Sequence, residues 1–175
     1  YLGRVTEEKA VETVIKAYEK LPEYTVKIMG DDTTDEAKRL KKYVENHKMK
    51  NVEFLGFKSG AELENVIKGA RFTLIPSIWY DNLPNTALES FQYSKPVIAS
   101  NIGSLPELVI DGENGYLFKP SNVEDLIKKI KMLDDDPLVK NMGQASRKRL
   151  ESRFAPQTHY EDLMKIFNEA VKSRK

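Results

Sequence analysis

Residues 71–99 read RFTLIPSIWYDNLPNTALESFQYSKPVIA, and this stretch decides the fold. It begins with an apolar run of strand length, Arg71–Pro76, which is typical of a strand buried on both faces. A turn-rich loop, Ser77–Pro84, comes next, followed by a predicted helix over Asn85–Tyr93 and a second buried strand over Pro96–Ala99. Two strands with a helix between them and short connections predict a parallel pair with a right-handed crossover.

The same alternation continues in both directions along the chain. Before this stretch we predict strands at Tyr1–Val5, Tyr24–Met29 and Asn51–Leu55, a helix over Glu7–Lys20, a second helix with Leu40, Tyr43, Val44 and His47 on its inner face, and a third that ends near Gly69. After it we predict a short helix at Leu105–Ile110 and a strand at Tyr116–Phe118. Three further helices follow: one over Val123–Leu133, a second that ends at about Leu150, and a third over His159–Val171. The pattern predicts an α/β fold with a parallel sheet of about six strands and helices on both faces.

The composition excludes several classes of protein. The 175 residues suffice for one domain of ordinary size, and 28 basic against 27 acidic residues leave a net charge of +1. A net charge this small gives no overall electrostatic attraction to nucleic acid or to an anionic membrane. The absence of cysteine excludes disulfides and thiolate metal sites. The longest mostly apolar stretch, Phe72–Ile78, is far shorter than the ~20 residues that a membrane-spanning helix needs.

Several familiar site motifs are missing from the sequence. No Gly-x-Gly-x-x-Gly follows the first predicted strand, and neither a P-loop nor a Gly-x-Ser-x-Gly elbow occurs. The two histidines, His47 and His159, lie on separate predicted helices, and we interpret both as helix-face residues. We therefore expect no metal ion and no cofactor.

The first loop of the predicted sheet is cationic. Gly3 and Arg4 end the first strand, and Lys9 opens the first helix. Ligands of parallel sheets bind at the carboxyl ends of the strands, where a helix N-terminus and two cations favour a phosphate. The alternative is that Lys9 is a solvated helix residue beside Glu7 and Glu8.

The loop after the strand at Arg71–Pro76 carries two acids. Asp81 lies in the loop, and Glu89 lies one or two turns into the following helix. A carboxylate here can accept hydrogen bonds from the hydroxyls of a ribose or a sugar, or stabilise positive charge at an anomeric carbon. The alternative is simple helix capping by Asp81, with Glu89 acting only as a good helix former.

Five motifs in register resemble the C-terminal half of retaining glycosyltransferases of the GT-B fold, and cover nearly the whole chain. The likeness is to family four, glycosyl transferases group one, the large group that contains bacterial and archaeal mannosyltransferases, sucrose synthases and glycogen synthases; of these, mannosyltransferases are our first guess. The motifs are Tyr1–Lys9 (YLGRVTEEK), Pro76–Ser90 with two acids separated by seven residues, Lys95–Ser100 (KPVIAS), Gly103 with Glu107, and Asp111–Phe118 (DGENGYLF). The sequence departs from the family's usual pattern at Asp81 (usually Glu), at Ala10 (usually Gly) and over Ser90–Ser94.

The resemblance implies a Rossmann-like donor-binding domain and assigns roles within it. Gly3, Arg4 and Lys9 would bind the donor diphosphate, with both cations stabilising it as the leaving group in place of a metal ion. Glu89 would bind the ribose hydroxyls. The donor sugar and phosphate would contact Asp81, Asn82, Leu83, Pro84, Asn85 and Thr86, and the loop at Phe57 and Lys58 would lie near the base.

The resemblance also sets the expected context. The acceptor domain lies N-terminal in this family, and the chain begins without Met inside a predicted strand. We therefore expect residues 1–175 to be a single nucleotide-sugar-binding domain from a longer cytoplasmic enzyme, associated at most peripherally with the inner membrane face. That enzyme would transfer a hexose, first of all mannose from GDP-mannose, to a glycan or lipid-linked acceptor in polysaccharide biosynthesis, and the isolated chain would be inactive.

Two alternatives remain at this stage. One is a nucleotide-sugar epimerase of the same fold, against which the scarcity of histidine argues. The other is a non-catalytic nucleotide-sugar-binding module, for which the Asp81 replacement is the only support.

Overall fold

The computed structural model describes residues 1–173, so the last two residues of the domain predicted over 1–175 lie outside the described part. The strands are β1 (Val26–Met29), β2 (Val52–Gly56), β3 (Thr73–Ile75), β4 (Val97–Ser100) and β5 (Gly115–Phe118). All of their pairings are parallel, and they form two groups, β1–β2 and β3–β4–β5. The predicted α/β class with parallel strands is confirmed.

The first predicted strand, over Tyr1–Val5, is wrong in extent. The backbone there makes only an isolated parallel bridge between Leu2 and Met29. At Gly3 φ is 145°, and the chain then leaves β1 to form the next turn, so the run of paired residues is too short for a strand. The described residues therefore contain five strands in two groups, where we predicted one sheet of about six.

Eight α-helices connect and cover the strands within the described residues. They are α1 (Val11–Glu19), α2 (Asp35–Asn46), α3 (Gly60–Gly69), α4 (Asn85–Gln92), α5 (Leu105–Leu108), α6 (Val123–Met132), α7 (Asp136–Arg153) and α8 (Pro156–Lys172). Apart from the start of the first helix, their positions agree with those predicted from the apolar periodicity. Within residues 1–173, none of the helices combines the length and the hydrophobicity that a membrane span requires.

The first helix is interrupted, which the periodicity did not indicate. Glu7–Lys9 form a 3₁₀ turn, and α1 begins only at Val11. Between them Ala10 has φ 48° and ψ 40°, a left-handed conformation that costs a side-chain-bearing residue free energy. The break redirects the chain, so that Lys9 precedes α1 instead of lying within it.

The core lies on both faces of the larger strand group. Ile98 belongs to a cluster with side chains of α1, α2 and α6, whereas its neighbours Val97 and Ala99 belong to a second cluster with α4 and α5. Alternate residues of a strand point to opposite faces, so helices cover both sides, as predicted. The prediction that His47 lies on an inner face is wrong, since His47 is the C-cap residue of α2 and is exposed; its ring stacks on that of Tyr43 with 3.9 Å between the ring centroids.

Candidate functional site

Three glycines bring the first loops of the fold to one edge. The N–H of Gly3 donates to the carbonyl of Met29 at 2.9 Å, and the N–H of Gly30 donates to the carbonyl of Gly56 at 3.0 Å. A Cβ atom on Gly30 would lie only 1.8 Å from the carbonyl oxygen of Gly3. Only glycine permits this approach, which places the loops after Leu2, β1 and β2 side by side.

A second junction ties the first loop to the loop after β3. The carbonyl of Glu8 accepts hydrogen bonds from the N–H of Ile78 at 2.9 Å and from Oγ of Ser77 at 3.2 Å. Ser77 is buried, so this junction is shielded from water. The 3₁₀ turn that carries Lys9 is thereby fixed against the segment that leads to Asp81.

The centre of the candidate site is an ion pair between residues far apart in sequence. Nζ of Lys9 donates to Oδ1 of Asp81 at 2.8 Å and to Oδ2 at 2.7 Å. Only 20% of the Lys9 side chain and 19% of the Asp81 side chain are exposed. Partial removal from water strengthens the attraction between the two charges, so this pair holds more firmly than one on the open surface.

The backbone of Asp81 is held as firmly as its side chain. Its carbonyl accepts a hydrogen bond from Oγ of Ser104 at 2.7 Å. Gly103 has φ 59°, and a Cβ atom there would lie 3.1 Å from Cα of Tyr80. The loop after β4 therefore buttresses the loop after β3, and only a small residue at position 103 allows this contact.

Both simple alternatives for the charged pair are wrong. Asp81 does not cap a helix, because α4 begins at Asn85 and its N-cap residue, Pro84, offers no side-chain hydrogen bond. Lys9 is not a solvated helix residue, since it lies outside α1 and binds Asp81. The structure thus joins two of the predicted catalytic residues directly.

Arg4, the third predicted catalytic residue, is not part of that pair. Its side chain is 71% exposed and approaches Oε1 of Glu8 at 3.8 Å. The backbone N–H of Glu8 donates a hydrogen bond to the carboxylate of the same residue, and this bond lowers the pKa of Glu8. The structure places Arg4 and Lys9 on different carboxylates, and a guanidinium as exposed as that of Arg4 can turn toward an anion at little cost.

The predicted donor loop lies open beside the ion pair. Asn82, Leu83 and Asn85 are exposed, Pro84 is half-buried, and Oγ1 of Thr86 donates to the carbonyl of Leu2 at 3.3 Å. This last contact joins the start of α4 to the first loop.

The second acid of the motif is available for a ligand. Glu89 is half-buried in the second turn of α4 and has neither an ion pair nor a side-chain hydrogen bond within residues 1–173. A half-buried carboxylate with free acceptor sites can bind the hydroxyls of a diol.

The loop predicted near the base follows β2. Phe57 is 75% exposed, and Nζ of Lys58 lies 3.5 Å from Oε1 of Glu62. Both residues come directly after Gly56, whose carbonyl bonds to Gly30, so this loop shares the edge with Gly3. An exposed aromatic ring at this position offers a surface on which a flat base can stack.

Sequence reasoning missed the residues that assemble the site. Ser77 and Ser104 hold the loops through backbone carbonyls, and Gly30 allows them to approach. Gly103 was part of the family pattern, but nothing local marks the two serines, since their partners lie 69 and 23 residues away. In the described part of the chain no three acidic or histidine side chains lie together as a metal site would require.

A family comparison accounts for most of the chain. The family described as "Glycosyl transferases group 1" matches residues 1–149. An uncharacterized glycosyltransferase of Methanocaldococcus jannaschii is 29% identical over 170 residues, which cover 97% of this chain and 47% of the relative. A glycogen synthase of Mycobacterium tuberculosis is 32% identical over 168 residues, or 90% of this chain and 39% of the relative. The chain spans less than half the length of these relatives.

A solved structure shares the fold. The Anabaena protein HepE, crystallised in complex with UDP, superposes with a TM-score of 0.85 over 96% of this chain and 48% of its own, at 22% sequence identity. An identity this low supports the fold alone.

Proposed function

Because the chain belongs to the glycosyl transferases group 1 family, we propose that it is the donor-binding domain of a retaining glycosyltransferase that uses a nucleoside-diphosphate sugar. One observation carries the proposal. Loops from both strand groups converge at one edge, where the Lys9–Asp81 pair lies beside the exposed donor loop. That loop leads into α4, which carries Glu89, a half-buried carboxylate without a side-chain partner in residues 1–173. Cationic, acidic and open backbone groups together match the chemistry of such a donor.

The cations are suited to the diphosphate. Arg4 can turn its fork toward two phosphate oxygens, and Lys9 supplies a point charge. In the bound state the phosphates would draw Lys9 from Asp81 or share it. Charge-assisted hydrogen bonds from both cations would stabilise the leaving group as the bond from the anomeric carbon to the diphosphate breaks.

The acids are suited to the two sugar rings of the donor. Glu89 would accept hydrogen bonds from the ribose hydroxyls. Asp81, released from Lys9, would contact the donor sugar and stabilise positive charge that develops at its anomeric carbon. Amides of the exposed loop from Asn82 to Thr86 would meet phosphate oxygens, and the ring of Phe57 would lie near the base.

The identity of the sugar and of the acceptor is a finer proposal. Mannose from GDP-mannose is our first candidate for the donor. Because one relative is a glycogen synthase and one structural neighbour binds UDP, other sugars and nucleotides have to be tested as well. The acceptor would be a glycan or a lipid-linked sugar held by a second domain outside residues 1–175. We propose that no metal ion takes part, since Arg4 and Lys9 supply positive charge at the diphosphate.

Thermal unfolding with UDP, GDP and ADP in the presence of EDTA tests the proposal. One diphosphate is expected to stabilise the chain by about 2.7 kcal/mol at ~100 times its dissociation constant. Glu89→Gln should reduce this gain for the same nucleotide, whereas Glu113→Gln should not, because Glu113 is exposed in the turn before β5, at the opposite ends of the strands. Absence of binding by all three nucleotides, or binding only after Mg²⁺ is restored, would contradict the proposal.

A non-catalytic binding module would pass that test, so activity has to separate it. The whole protein with its acceptor should release nucleotide and form a glycoside with retained anomeric configuration. Binding without turnover in any acceptor would favour the non-catalytic alternative, and interconversion of free nucleotide sugars would favour the epimerase.

A further inference from the structure

Two exposed aromatic side chains in the loop after β3 have no role in the proposed function. Trp79 is 62% exposed and Tyr80 is 73% exposed, and Ile78 and Leu83 of the same loop are exposed as well. A concentration of large apolar side chains on the surface typically marks a binding site. We call Trp79 and Tyr80 the aromatic pair.

The backbone that carries the aromatic pair is fixed. The N–H of Ile78 donates to the carbonyl of Glu8 at 2.9 Å, and the N–H of Trp79 donates to Oγ of Ser77 at 3.3 Å. The N–H of Asp81 donates to the carbonyl of Trp79 at 3.0 Å. Binding therefore has to order only the side chains, and tryptophan and tyrosine have two side-chain torsions each. A ligand can gain a large contact area here at a small cost in entropy.

Carboxylates flank the aromatic pair in the structure. Asp81 follows it directly, and the backbone of Glu8 is bonded to Ile78. The Glu8 side chain is half-buried, and a carboxylate has about four acceptor sites, more than its present partners use. An aromatic face packs against the C–H groups of a pyranose ring, while carboxylates accept hydrogen bonds from its hydroxyls. The negative charges also disfavour an anionic membrane at this surface.

A polar cavity continues the surface beyond Asp81. It has a volume of about 340 Å³, and Asn82, Leu83, Glu107 and Arg149 are among the residues that line it. Within residues 1–173 the carboxylate of Glu107 has no side-chain partner, and Nε of Arg149 is buried without an acceptor. Unpaired donors and acceptors in one cavity suit the hydroxyls of a further sugar. The surface therefore fits an oligosaccharide better than a purely apolar ligand.

We propose that Trp79 and Tyr80 stack on a pyranose ring of a neutral glycan, and that this glycan is the acceptor. The second part rests on the proposed function, in which the donor sugar contacts Asp81 and the residues that follow it. The aromatic pair precedes Asp81 and is left for the other reactant. This chain would then share the acceptor with the second domain.

Fluorescence of the chain tests the inference, because Trp79 is its only tryptophan. The chain is titrated with neutral trisaccharides of glucose, mannose and galactose, with and without the nucleotide found in the thermal screen. At least one trisaccharide should shift the emission of Trp79 to shorter wavelength in a saturable way, because stacking removes an exposed indole from water. Sorbitol, which has hydroxyls but no ring, should cause no such shift.

Three variants locate the binding surface. Tyr80→Ala should weaken binding of the trisaccharide about two- to tenfold, whereas Tyr80→Phe, which keeps the ring, should bind like the parent chain. Tyr160→Ala is the matched control, since Tyr160 is an exposed tyrosine on α8, outside the loops at the strand ends, and its loss should change nothing. The nucleotide and its sugar should bind Tyr80→Ala as they bind the parent chain in calorimetric titration. Because Tyr80 is exposed, the thermal unfolding of its variants should match that of the parent.

The inference is overturned if no trisaccharide shifts the emission, or if Tyr80→Ala binds the trisaccharide as tightly as the parent. A loss of nucleotide-sugar affinity in Tyr80→Ala would also overturn it, because the aromatic pair would then hold the donor. A shift that follows protein concentration without sugar, together with dimers in sedimentation, would show that a second copy covers the pair and would overturn it too. Trisaccharide binding that depends on Tyr80 in a chain that binds no nucleotide would support the stacking and contradict only the proposed function.

Discussion

Lys9 is held by Asp81, so the proposed diphosphate would have to compete with a carboxylate for the same ammonium group. Both oxygens of Asp81 lie within 2.8 Å of Nζ, and both side chains are about four-fifths covered. The pair fixes Lys9 in the site before any ligand arrives. It also makes the two residues respond differently to substitution.

We predict that Lys9→Ala weakens diphosphate binding and that Asp81→Asn does not. A charge-assisted hydrogen bond contributes ~1.5–3 kcal/mol, so loss of Lys9 should lower the affinity about ten- to a hundredfold. Asp81→Asn removes the competing charge, and the diphosphate should bind at least as tightly as to the parent chain. Calorimetric titration with the nucleotide found in the thermal screen measures both.

Lys16→Ala is the matched control, since Lys16 forms an exposed ion pair with Glu12 on α1, away from the strand ends. It should leave affinity unchanged. An equal loss for the Lys9 and Lys16 variants would show that only general charge is involved. A loss of diphosphate affinity in Asp81→Asn as large as in Lys9→Ala would mean that the pair supports the fold of the loop.

The residues of the candidate site could be predicted from the sequence where their charge and their position in a loop mark them. Lys9, Asp81 and Glu89 stand out as charged residues in or just after predicted loops. The structure places Lys9 at the end of the 3₁₀ turn, Asp81 in the loop after β3 and Glu89 in α4. Their partners were not predictable, because Lys9 and Asp81 are 72 residues apart and no local pattern encodes that distance. The serine contacts that hold the loops were missed for the same reason.

At the scale of elements, the junction between the 3₁₀ turn and α1 determines where Lys9 points. Ala10 occupies a left-handed conformation at φ 48° and is buried. Such a conformation costs an L-residue ~1–2 kcal/mol, which glycine does not incur. The family pattern usually has glycine at this position, and the backbone angle gives the physical reason.

We predict that Ala10→Gly stabilises the protein slightly. Relief of the left-handed conformation outweighs the added freedom of the unfolded chain, and the net gain should be up to ~1 kcal/mol. Ala17→Gly is the control, because Ala17 is also buried but lies inside α1, where glycine should cost ~1 kcal/mol or more. Urea unfolding of the three proteins measures the differences. A destabilisation by Ala10→Gly similar to that by Ala17→Gly would show that the methyl group matters more than the backbone angle.

Helices and strands were predicted well where the pattern of buried apolar residues marks them. The runs at residues 73–75 and 97–100 are strands because their side chains are buried on both faces. The helix interrupted at Ala10 and the shortened strand over Tyr1–Val5 were mispredicted because the backbone angles at Ala10 and Gly3, not hydrophobicity, set their limits.

At the scale of the whole molecule, the parallel α/β class was predictable from the order of elements, because short connections between strands and helices leave few alternatives. The division into two strand groups was not. It depends on whether β1 and β3 pair through hydrogen bonds, which the pattern of apolar residues does not predict. The same holds for the candidate site: the edge of the sheet on which it lies was predicted, whereas the contacts between its residues were not.

We predict that the isolated chain binds donor nucleotide and transfers no sugar. The proposed nucleotide contacts all lie on loops within residues 1–173, whereas transfer would require an acceptor held against the anomeric carbon with water excluded. Orientation of this kind can account for ~7–11 kcal/mol of the barrier, and the described residues offer one edge of loops with no opposing wall. A coupled assay for nucleotide release, with and without a separately supplied acceptor domain, measures this. Acceptor-dependent release from the isolated chain at the rate of the two-domain mixture would contradict the two-domain mechanism, whereas release only in the mixture would support it.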